Sequence, residues 1–440
     1  MYSKNPMQWP FLTKIERVGN RKEPAMLRRI AIAKWCLRTS PKNHSFGPRI
    51  PTPMIASLAK KGSTPIRYIG SPRTVALRII AVDSSLVGRG GRLTGIRTTG
   101  RLYLSRQYLI PYSKSPAEMT TLLNALRKTS QVDCDTLDSN VAHELGPFAD
   151  CTSNQAIAFS EISRPLAGKP LLHHDALIKE AIRDARQGLN ELQGSAVFEE
   201  FVVQILMVKL QLLIVPNVTG YVHIQTNPKL SYSTAGTISD AERIVNIFKG
   251  LAPDFDAKRV CIKIPATWEG LQACRALEVK GIATLATTMF CMEQAALAAE
   301  AQCTYIAPYV TFDFCREAQA YYTSHSFRTQ VLAASLTSVD EVMQLAMIQH
   351  ITISPNLLNE LASADLSAWK GKLGEYFAQG PANKSWETRD YNALVKDESA
   401  WKLAFTRSGF GTSEGKIIQA INYFSDFQEK LEELVKQYAE

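Results

Sequence analysis

The amino-acid sequence predicts an α/β protein, a (β/α)8 TIM barrel with additional helices, preceded by a disordered, basic N-terminal extension. From residue 131 onward, eight short apolar segments rich in β-branched residues alternate with segments of helical periodicity. This alternation is typical of parallel strands that are buried on both faces. An open doubly wound sheet is the second interpretation, but it requires a glycine-rich turn after the first strand. The sequence has Thr136-Leu137-Asp138 there.

The distribution of charge indicates the extension. Residues 1–118 contain 22 of the 50 Lys and Arg but only 4 of the 41 Asp and Glu, which leaves a net charge of −9 on residues 119–440. The basic part is Pro- and Ser-rich and lacks sustained periodicity, and such segments do not bury a core. We therefore expect two parts, an extension of residues 1–118 and a barrel of residues 119–440.

Three other interpretations of residues 1–118 stay open. The Arg- and Gly-containing run at 87–101 could bind RNA phosphates. The Arg-rich, acid-poor composition is also typical of a mitochondrial presequence. Finally, the segment could be non-native coding sequence ahead of Met119. Nucleic acid is not expected as a partner of the barrel itself.

Eight buried strands are predicted, each ending near a polar side chain. They are Val132–Thr136, Phe148–Thr152, Tyr221–Thr226, Val260–Pro265, Ile282–Thr287, Tyr305–Val310, Val331–Ser335 and Ile351–Ser354. Helices between them are predicted at Ser239–Leu251 with Ser239 as N-cap, Leu271–Lys280, Glu293–Gln302, Ser338–Ile348 and Leu357–Ala364.

Two longer helical segments lie outside this alternation. Residues 165–215 carry apolar side chains at helical spacing and are predicted to form a helix pair that covers the barrel. Residues 413–438 form an amphipathic helix whose apolar stripe includes Ile417, Phe424 and Leu431. This helix could cover the barrel, cover the active-site mouth or pair with a second subunit in a homodimer.

The composition argues against several classes of protein. The sequence has no run of 18 apolar residues, so no membrane span is expected. The first ten residues lack the apolar core of a secretory signal. Eight cysteines occur singly, without the spacing of a zinc site. We expect reduced thiols, a cytoplasmic location, and neither a metal ion nor an organic cofactor.

The stretch at 260–270, VCIKIPATWEG, places Lys263 near the end of an apolar strand. An apolar pocket lowers the pKa of a lysine, and the neutral amine can then attack a carbonyl group to form a Schiff base. The alternative is a lysine that caps the next helix or extends to solvent.

Polar side chains follow the predicted strands at their carboxyl ends, where the catalytic residues of this fold lie. These candidates are Asp135, Thr152, Asn154, Gln225, Asn227, Lys263, Thr287, Tyr309, Ser335 and Ser354. A carboxylate, a lysine and neutral polar groups are what a Schiff-base enzyme needs to move protons while a carbon–carbon bond is cleaved. Taken singly, Asp135 could cap a helix or pair with Lys263, Gln225 and Asn227 could satisfy loop backbone, and Tyr309 could be a wall residue.

Several sequence blocks, in order, resemble the transaldolase family of class I Schiff-base enzymes. They are VDCDTLD (132–138), DCTSNQA (150–156), LSYSTAGTISDAERI (230–244), VCIKIPATWEGLQA (260–273), ATTMFCMEQA (286–295), IAPYV (306–310) and ITISPNLL (351–358). The resemblance runs from about Met119 to the end of the sequence, and residues 1–118 have no counterpart. It implies a cofactor-free barrel that transfers a dihydroxyacetone unit from a ketose to an aldehyde, in carbohydrate metabolism of the pentose-phosphate type.

The resemblance also implies roles for the candidates. Lys263 corresponds to the Schiff-base lysine and Asp135 to the aspartate that handles protons at the carbon–carbon bond. The other implied roles are holding the hydrolytic water, for Gln225, Thr287 and Tyr309, and contact with the donor substrate, for Thr152, Asn154 and Ser335.

Departures from the family pattern concern the water site and the substrate. Gln225 replaces a glutamate and Tyr309 a phenylalanine, which makes this set similar to that of fructose-6-phosphate aldolases. Gln155 stands in place of a proline. Plain aldol cleavage or formation on a non-phosphorylated or atypical substrate is therefore an alternative function, and a catalytically inactive barrel used for binding is another.

The phosphate-binding residues of the family are replaced as well. Phe312 and Thr337 stand where the family has arginines, and Leu285 replaces an asparagine on the fifth strand that contacts the dihydroxyacetone unit. Two arginines would supply bidentate, charge-assisted hydrogen bonds to a phosphate. We therefore expect sugar phosphates to bind weakly unless another cation, such as Lys229 or Arg328, substitutes.

Overall fold

The computed structural model describes residues 121–309 and 312–440, and these contain a closed barrel of eight parallel strands. The strands are β1 (Gln131–Asp135), β2 (Cys151–Thr152), β3 (Val222–Gln225), β4 (Val260–Pro265), β5 (Ala283–Met289), β6 (Tyr305–Pro308), β7 (Gln330–Ala333) and β8 (His350–Ile353). Consecutive strands are neighbours and β8 pairs with β1, so the sheet has no open edge. The predicted fold class is confirmed, and each of the eight predicted strands corresponds to one of these, with shifted ends for most; Val310, the predicted end of the sixth strand, lies outside the described residues. The predicted extension, residues 1–118, lies outside the described residues.

Alternate residues of each strand face opposite sides of the barrel wall. In β4, Ile262 and Ile264 belong to the core between the barrel and its helices, whereas Cys261 belongs to a separate cluster inside the barrel. By this alternation Lys263 also points into the interior. All six residues of β4 are buried, which is why the strand reads as an apolar run without a period of two.

The helices cover the outside of the barrel and its carboxyl-terminal mouth. Those in the described residues are α1 (Leu122–Leu126), α2 (Ser139–Leu145), α3 (Gln155–Ile162), α4 (Asp175–Arg186), α5 (Phe198–Ile214), α6 (Thr234–Leu251), α7 (Trp268–Val279), α8 (Met292–Glu300), α9 (Phe312–Ser324), α10 (Val339–Gln344), α11 (Pro355–Ser363), α12 (Glu375–Ala378), α13 (Tyr391–Leu394), α14 (Glu398–Arg407) and α15 (Thr412–Ala439). The five helices predicted between strands correspond to α6, α7, α8, α10 and α11, with shifted ends. The predicted pair at 165–215 corresponds to α4 and α5, which are separated by residues 187–197.

The predicted start of α6 at Ser239 is wrong, since the helix begins at Thr234. The hydroxyl of Ser233 accepts a hydrogen bond from the N–H of Gly236 and caps the helix, so Ser239 lies within it. Gly236 costs a helix about 1 kcal/mol relative to alanine. The Ser233 cap offsets a cost of that size.

The C-terminal helix α15 crosses the carboxyl-terminal mouth of the barrel. Near its start, Lys416 lies over the ring of Phe290, just after β5, with the ammonium 5.6 Å from the ring centroid. Further along, Phe424 packs in the same cluster as the residues inside the barrel. Nearer its end, Glu432 lies 3.2 Å from Lys229, which follows β3. Of the alternatives that the sequence left open for this helix, the structure supports covering of the mouth.

Within residues 121–309 and 312–440, no helix is both long and apolar enough to cross a membrane.

Candidate active site

Lys263 lies inside the barrel with only 4% of its surface exposed. It is paired in register with Gln225 of β3 and Leu285 of β5. Burial lowers the pKa of Lys263, while the Asp135 carboxyl and the Cys261 thiol act in the opposite direction. The pKa lies below the ordinary value of an amine, so a larger fraction of Lys263 is neutral and nucleophilic at a given pH. Lys263 therefore does not extend to solvent, which was the alternative interpretation.

Asp135, at the end of β1, belongs to a hydrogen-bonded chain of three side chains. It accepts a 2.7 Å hydrogen bond from the hydroxyl of Thr152, whose oxygen is also 2.6 Å from the hydroxyl oxygen of Thr352. Burial raises the pKa of Asp135, and the opposing effects of Lys263 and of the Thr152 hydrogen bond are smaller. The side chain keeps some solvent exposure although protein atoms surround it on most sides. A carboxyl with a raised pKa is suited to exchanging protons near neutral pH.

Gln225 is a buried polar side chain without partners among the described residues, and Thr287 is a second buried polar side chain whose hydroxyl lies near the phenol of Tyr309. They are 1% and 0% exposed, yet neither end of the Gln225 carboxamide nor the Thr287 hydroxyl makes a hydrogen bond of ordinary geometry there. Gln225 adjoins Lys263 in the sheet, and Thr287 is paired with Pro265, two residues further along β4. Unpartnered polar groups are rare in protein interiors, so these atoms indicate a space beside Lys263 where water or substrate supplies the bonds.

Tyr309 follows β6 and packs its ring against Phe290, with a centroid distance of 5.8 Å. Burial raises the pKa of Tyr309, so the phenol stays protonated and able to donate. The side chain of Thr287 acts to lower that pKa, whereas Asp135 and Tyr423 raise it further. Tyr309 therefore faces the same space as Thr287 and Asp135, beneath the residues of α15.

The remaining predicted residues lie at the ends of their strands, and they differ in whether their side chains already make hydrogen bonds to the protein. The side-chain oxygen of Asn154 accepts the N–H of Ile157 and caps α3, which leaves the carboxamide nitrogen for a ligand. The side chain of Asn227 accepts the N–H of Lys229, a backbone role. Ser335, after β7, has a φ of 63°. Left-handed backbone at a non-glycine residue is uncommon and is found preferentially at functional sites.

Two residues of the site were not predicted, Thr352 and Gln155. Thr352 lies two residues before the predicted strand-end residue Ser354, and counting inward positions along β8 would have found it. The carboxamide nitrogen of Gln155 donates to the main-chain oxygens of Gln225 and Thr226, at 3.3 and 3.1 Å. Gln155 therefore holds the end of β3 that carries Gln225. Gln155 stands in place of a proline of the family pattern, and this departure was the signal in the sequence that could have identified it.

Neither cation considered as a phosphate ligand is free. The Lys229 ammonium lies 3.4 Å from Glu429 and 3.2 Å from Glu432, both on α15. Arg328 precedes β7 at the opposite end of the barrel, where its guanidinium lies 2.9 Å from Glu278. The first charge is compensated and the second is far from the mouth, so neither replaces the missing arginines.

A third cation, Lys416, lies at the mouth and differs from Lys229 and Arg328 in having no carboxylate partner among the described residues. It is half-buried on α15. Its recorded contact is with the ring of Phe290, which in turn packs on Tyr309. Lys416 therefore brings an uncompensated positive charge to the edge of the space lined by Tyr309.

A second polar cluster lies at the amino-terminal end of the barrel interior. Asp133, Asp150 and His350 place potential metal-ligating atoms within 4.8 Å of one another. These atoms already bond to protein: His350 Nδ1 is 3.0 Å from Asp133, and His223 Nε2 is 2.9 Å from Asp150. Asp133 also accepts the N–H of Asp150. The ligating atoms of Asp133, Asp150 and His350 are thus engaged with protein, although His223 Nδ1 has no partner among the described residues, and this arrangement does not fit an open metal site.

Comparison with known proteins gives consistent matches. The family model described as Transaldolase/Fructose-6-phosphate aldolase matches residues 132–311 and 311–407. A probable transaldolase of Dictyostelium discoideum is 31% identical over 284 residues, which cover 58% of this chain and 83% of that protein. A transaldolase of Alteromonas mediterranea is 29% identical over 341 residues, covering 72% and 99%. A transaldolase of Methylococcus capsulatus is 30% identical over 266 residues, covering 56% and 78%.

These matches agree with the barrel, and they identify the activity as that of a transaldolase, a transferase. The chain belongs to the transaldolase/fructose-6-phosphate aldolase family.

Proposed function

We propose that Lys263 forms a Schiff base with a ketose donor and that the barrel passes the bound three-carbon ketone unit to an aldehyde acceptor. One observation carries this proposal. Lys263 is buried and has a lowered pKa, and Asp135 is the one carboxyl that acts on this pKa. The amine lies beside polar atoms of Gln225 and Thr287 that make no hydrogen bond of ordinary geometry with the described residues. An amine in such a pocket is a nucleophile for carbonyl carbon.

Asp135 moves the proton at the bond that is cleaved. Once the imine has formed at C2, Asp135 accepts the proton of the C4 hydroxyl, and the C3–C4 bond breaks to leave an enamine on Lys263 and a free aldehyde. Burial raises the pKa of Asp135, so the carboxyl returns the proton readily when the acceptor aldehyde adds. Thr152 holds the carboxyl in place during both steps.

Gln225, Thr287 and Tyr309 hold the water that is lost and regained at the imine carbon. A buried water needs two to four polar partners. The unpartnered atoms of Gln225 and Thr287 offer three, and the protonated phenol of Tyr309 faces the same space. Thr152, Asn154 and Ser335 are proposed to contact donor hydroxyls, Asn154 through its carboxamide nitrogen because its oxygen caps α3.

The distal end of the substrates lies under α15. We assign Lys416 to the anionic end of a sugar phosphate, because it is the half-buried cation at the mouth without a carboxylate partner in the described part of the chain. A single ammonium makes fewer directional hydrogen bonds to a phosphate than two bidentate arginines do. We therefore expect weaker selectivity for phosphorylated substrates than two arginines would give.

Reductive trapping tests the central assignment. The full chain is incubated with a ketose donor and borohydride, then digested and analysed by mass spectrometry. A donor-derived adduct is expected on Lys263 and absent from Lys209, a buried lysine on α5 that is ion-paired with Glu180 and Asp184. Lys263→Ala should trap nothing. An adduct that persists in this variant, or that forms on Lys209, would contradict the proposal.

We further propose a cytoplasmic enzyme that forms a homodimer, with a boundary between extension and barrel near residue 118 and no nucleic-acid partner for the barrel. Two observations support parts of this. The cysteines of the described residues are free and buried, as in a reducing compartment, and the net charge of −9 on residues 119–440 disfavours a phosphate backbone. Sedimentation velocity of the full 48.8 kDa chain tests the dimer, which a purely monomeric species would contradict.

A further inference from the structure

The strand β3, which carries Gln225, is supported differently on its two sides. Toward β4 it is in register at all four of its positions, from Val222 beside Val260 to Gln225 beside Lys263. Toward β2 it is in register at Val222 alone, which lies beside Cys151, because β2 has only two residues in the described part of the chain. On that side, the rest of β3 lacks the main-chain hydrogen bonds that a neighbouring strand supplies.

Side chains take the place of the missing strand. The Ser153 hydroxyl and the Gln211 carboxamide nitrogen donate to the main-chain oxygen of His223, at 2.7 and 2.8 Å. Further along β3, the carboxamide nitrogen of Gln155 donates to the main-chain oxygens of Gln225 and of the residue after it, at 3.3 and 3.1 Å. Buried main-chain groups need such partners, so these bonds fix the course of β3 beyond the end of β2.

The carboxamide of Gln155 is held in one orientation. Both of these hydrogen bonds run from its nitrogen, and its oxygen has no partner among the described residues although the side chain is only 1% exposed. If the group were turned over, its oxygen would face two main-chain oxygens, and carbonyl oxygens only accept hydrogen bonds. Gln155 therefore acts as a hydrogen-bond donor to the end of β3.

The position of the Gln225 carboxamide depends on this support. The carboxamide makes no hydrogen bond of ordinary geometry with the described residues, so no polar contact of its own holds it in place. The main chain that carries it is fixed by the strand of Lys263 on one side and by Gln155 on the other. A displacement of about 1 Å at a reacting centre can cost about a hundredfold in rate.

We propose that Gln155 is a positioning residue for the water that leaves and enters at the imine carbon. By holding the end of β3, it keeps the Gln225 carboxamide where that water binds. Gln155 then governs imine formation and imine hydrolysis, which involve water. It does not govern the making and breaking of the carbon–carbon bond, where Asp135 moves the proton. The inference rests on the proposed functions of Lys263 and Gln225.

Two partial reactions of the full chain separate these steps. In the first, the amine of Lys263 adds to the C2 carbonyl of fructose 6-phosphate and water leaves, and the reverse reaction returns an oxygen atom from the solvent. Incorporation of oxygen-18 from labelled water into C2, with Lys263→Ala as background, therefore reports the water steps.

The second partial reaction contains no water step. The three-carbon adduct on Lys263 is formed from fructose 6-phosphate, the released aldehyde is removed, and erythrose 4-phosphate is added. A carbon–carbon bond forms, and the acceptor oxygen receives a proton. Borohydride then traps the product, and mass spectrometry follows the gain in adduct mass.

Gln155→Met removes the donor and keeps the length of the side chain. We expect it to slow oxygen-18 exchange about tenfold and to change the conversion of the adduct by less than about twofold. Gln211→Met is the matched control, because Gln211 is also buried and makes the same kind of bond to β3 at His223. This control should change the ratio of the two rates by less than about twofold, although it removes buried hydrogen bonds.

Two further variants distinguish positioning from general support of the fold. In a Gln225→Leu background, Gln155→Met should slow the exchange by less than about twofold further, because no carboxamide remains to be positioned. In Gln155→Glu, a carboxylate only accepts hydrogen bonds, whereas the protonated carboxyl can donate one. The loss of exchange in Gln155→Glu, relative to the wild type at the same pH, should therefore shrink as pH falls.

The inference is overturned if Gln155→Met slows both partial reactions equally, leaves exchange at the wild-type rate, or combines additively with Gln225→Leu. Where Gln155→Met does not fold, a loss in Gln155→Glu that is independent of pH overturns it as well. Failure of the proposed function looks different, since the wild type itself would then show no exchange above Lys263→Ala and no adduct on Lys263.

Discussion

The hydroxyl of Thr152 donates a 2.7 Å hydrogen bond to Asp135 Oδ1 and lies 2.6 Å from the hydroxyl of Thr352. Thr152 on β2 thus positions the carboxyl of Asp135 at the end of β1, and Thr352 on β8 in turn positions Thr152. The position and the pKa of Asp135 therefore depend on residues more than a hundred positions away in the sequence.

Replacing Thr152 by valine should shift the pH dependence of the reaction. The hydrogen bond from Thr152 lowers the pKa of Asp135, so its loss raises that pKa further. The limb of kcat/KM that requires the ionised carboxylate should move to higher pH, with activity at neutral pH about threefold to tenfold lower. Thr284→Val, which removes a β5 hydroxyl bonded to Glu278, should leave the limb in place. An unmoved limb in Thr152→Val would show that Asp135 is not the titrating group.

Asp135→Asn should have opposite effects on imine formation and on turnover. The negative charge of Asp135 raises the pKa of Lys263, so its removal lowers that pKa and moves the midpoint of borohydride trapping to lower pH. Turnover should fall by about 10²–10⁴ because proton transfer is lost. Asp138→Asn is the control, since Asn also caps α2 as Asp138 does. Trapping that moves to higher pH would contradict the electrostatic coupling.

Gln225→Leu should lower activity without lowering stability. The Gln225 carboxamide is buried without partners among the described residues, so its removal relieves a desolvation cost. Gln211→Leu is the matched contrast, because Gln211 is equally buried but donates to Ser153 and to the main chain of His223. We expect about 1–3 kcal/mol of destabilisation for the second variant only. Thermal unfolding and steady-state assays together test this, and comparable destabilisation in both variants would argue against a ligand-facing Gln225.

Lys416→Met should raise KM for phosphorylated substrates about tenfold and leave KM for unphosphorylated ones within twofold, because one uncompensated ammonium supplies on the order of 1.4 kcal/mol to a phosphate. Lys430→Met is the matched control on the same helix, as Lys430 lies over the ring of Phe427, away from Phe290. Equal effects of Lys416→Met on both substrate types would remove Lys416 from the phosphate end.

Asp133→Asn should flatten the acid side of the stability profile. Burial raises the pKa of Asp133 from 3.8 to about 6, with His350 opposing the shift. Asp133 therefore binds more protons in the folded protein than in the unfolded chain between pH 4 and 6, and this group makes stability fall as pH rises through that window. Denaturant unfolding at several pH values should show the stability of the wild type falling relative to that of Asp133→Asn across the window, by up to about 3 kcal/mol. A parallel profile in the variant would contradict it.

The strands and most helices were predictable because their signals are local. A strand such as β4 is apolar on both faces because helices cover the parallel sheet, so it can be recognised in the sequence without knowing which strands lie beside it. The start of α6 was not predictable from propensity, because the cap at Ser233 outweighed the cost of Gly236. Polar residues at the carboxyl ends of the predicted strands likewise identified Asp135, Gln225 and Thr287 as candidates.

The sequence by itself determined the barrel, its family and the lysine at the end of β4, since each rests on residues close together in the chain. Only the tertiary structure decided that Thr352 and Gln155 belong to the site, that Lys229 and Arg328 are engaged elsewhere, and that α15 covers the mouth with Lys416 at its edge. The physical reason is that these properties depend on contacts between distant segments. Burial, charge compensation and an unpartnered polar atom are properties of a surrounding space, which is formed only when the eight strands close.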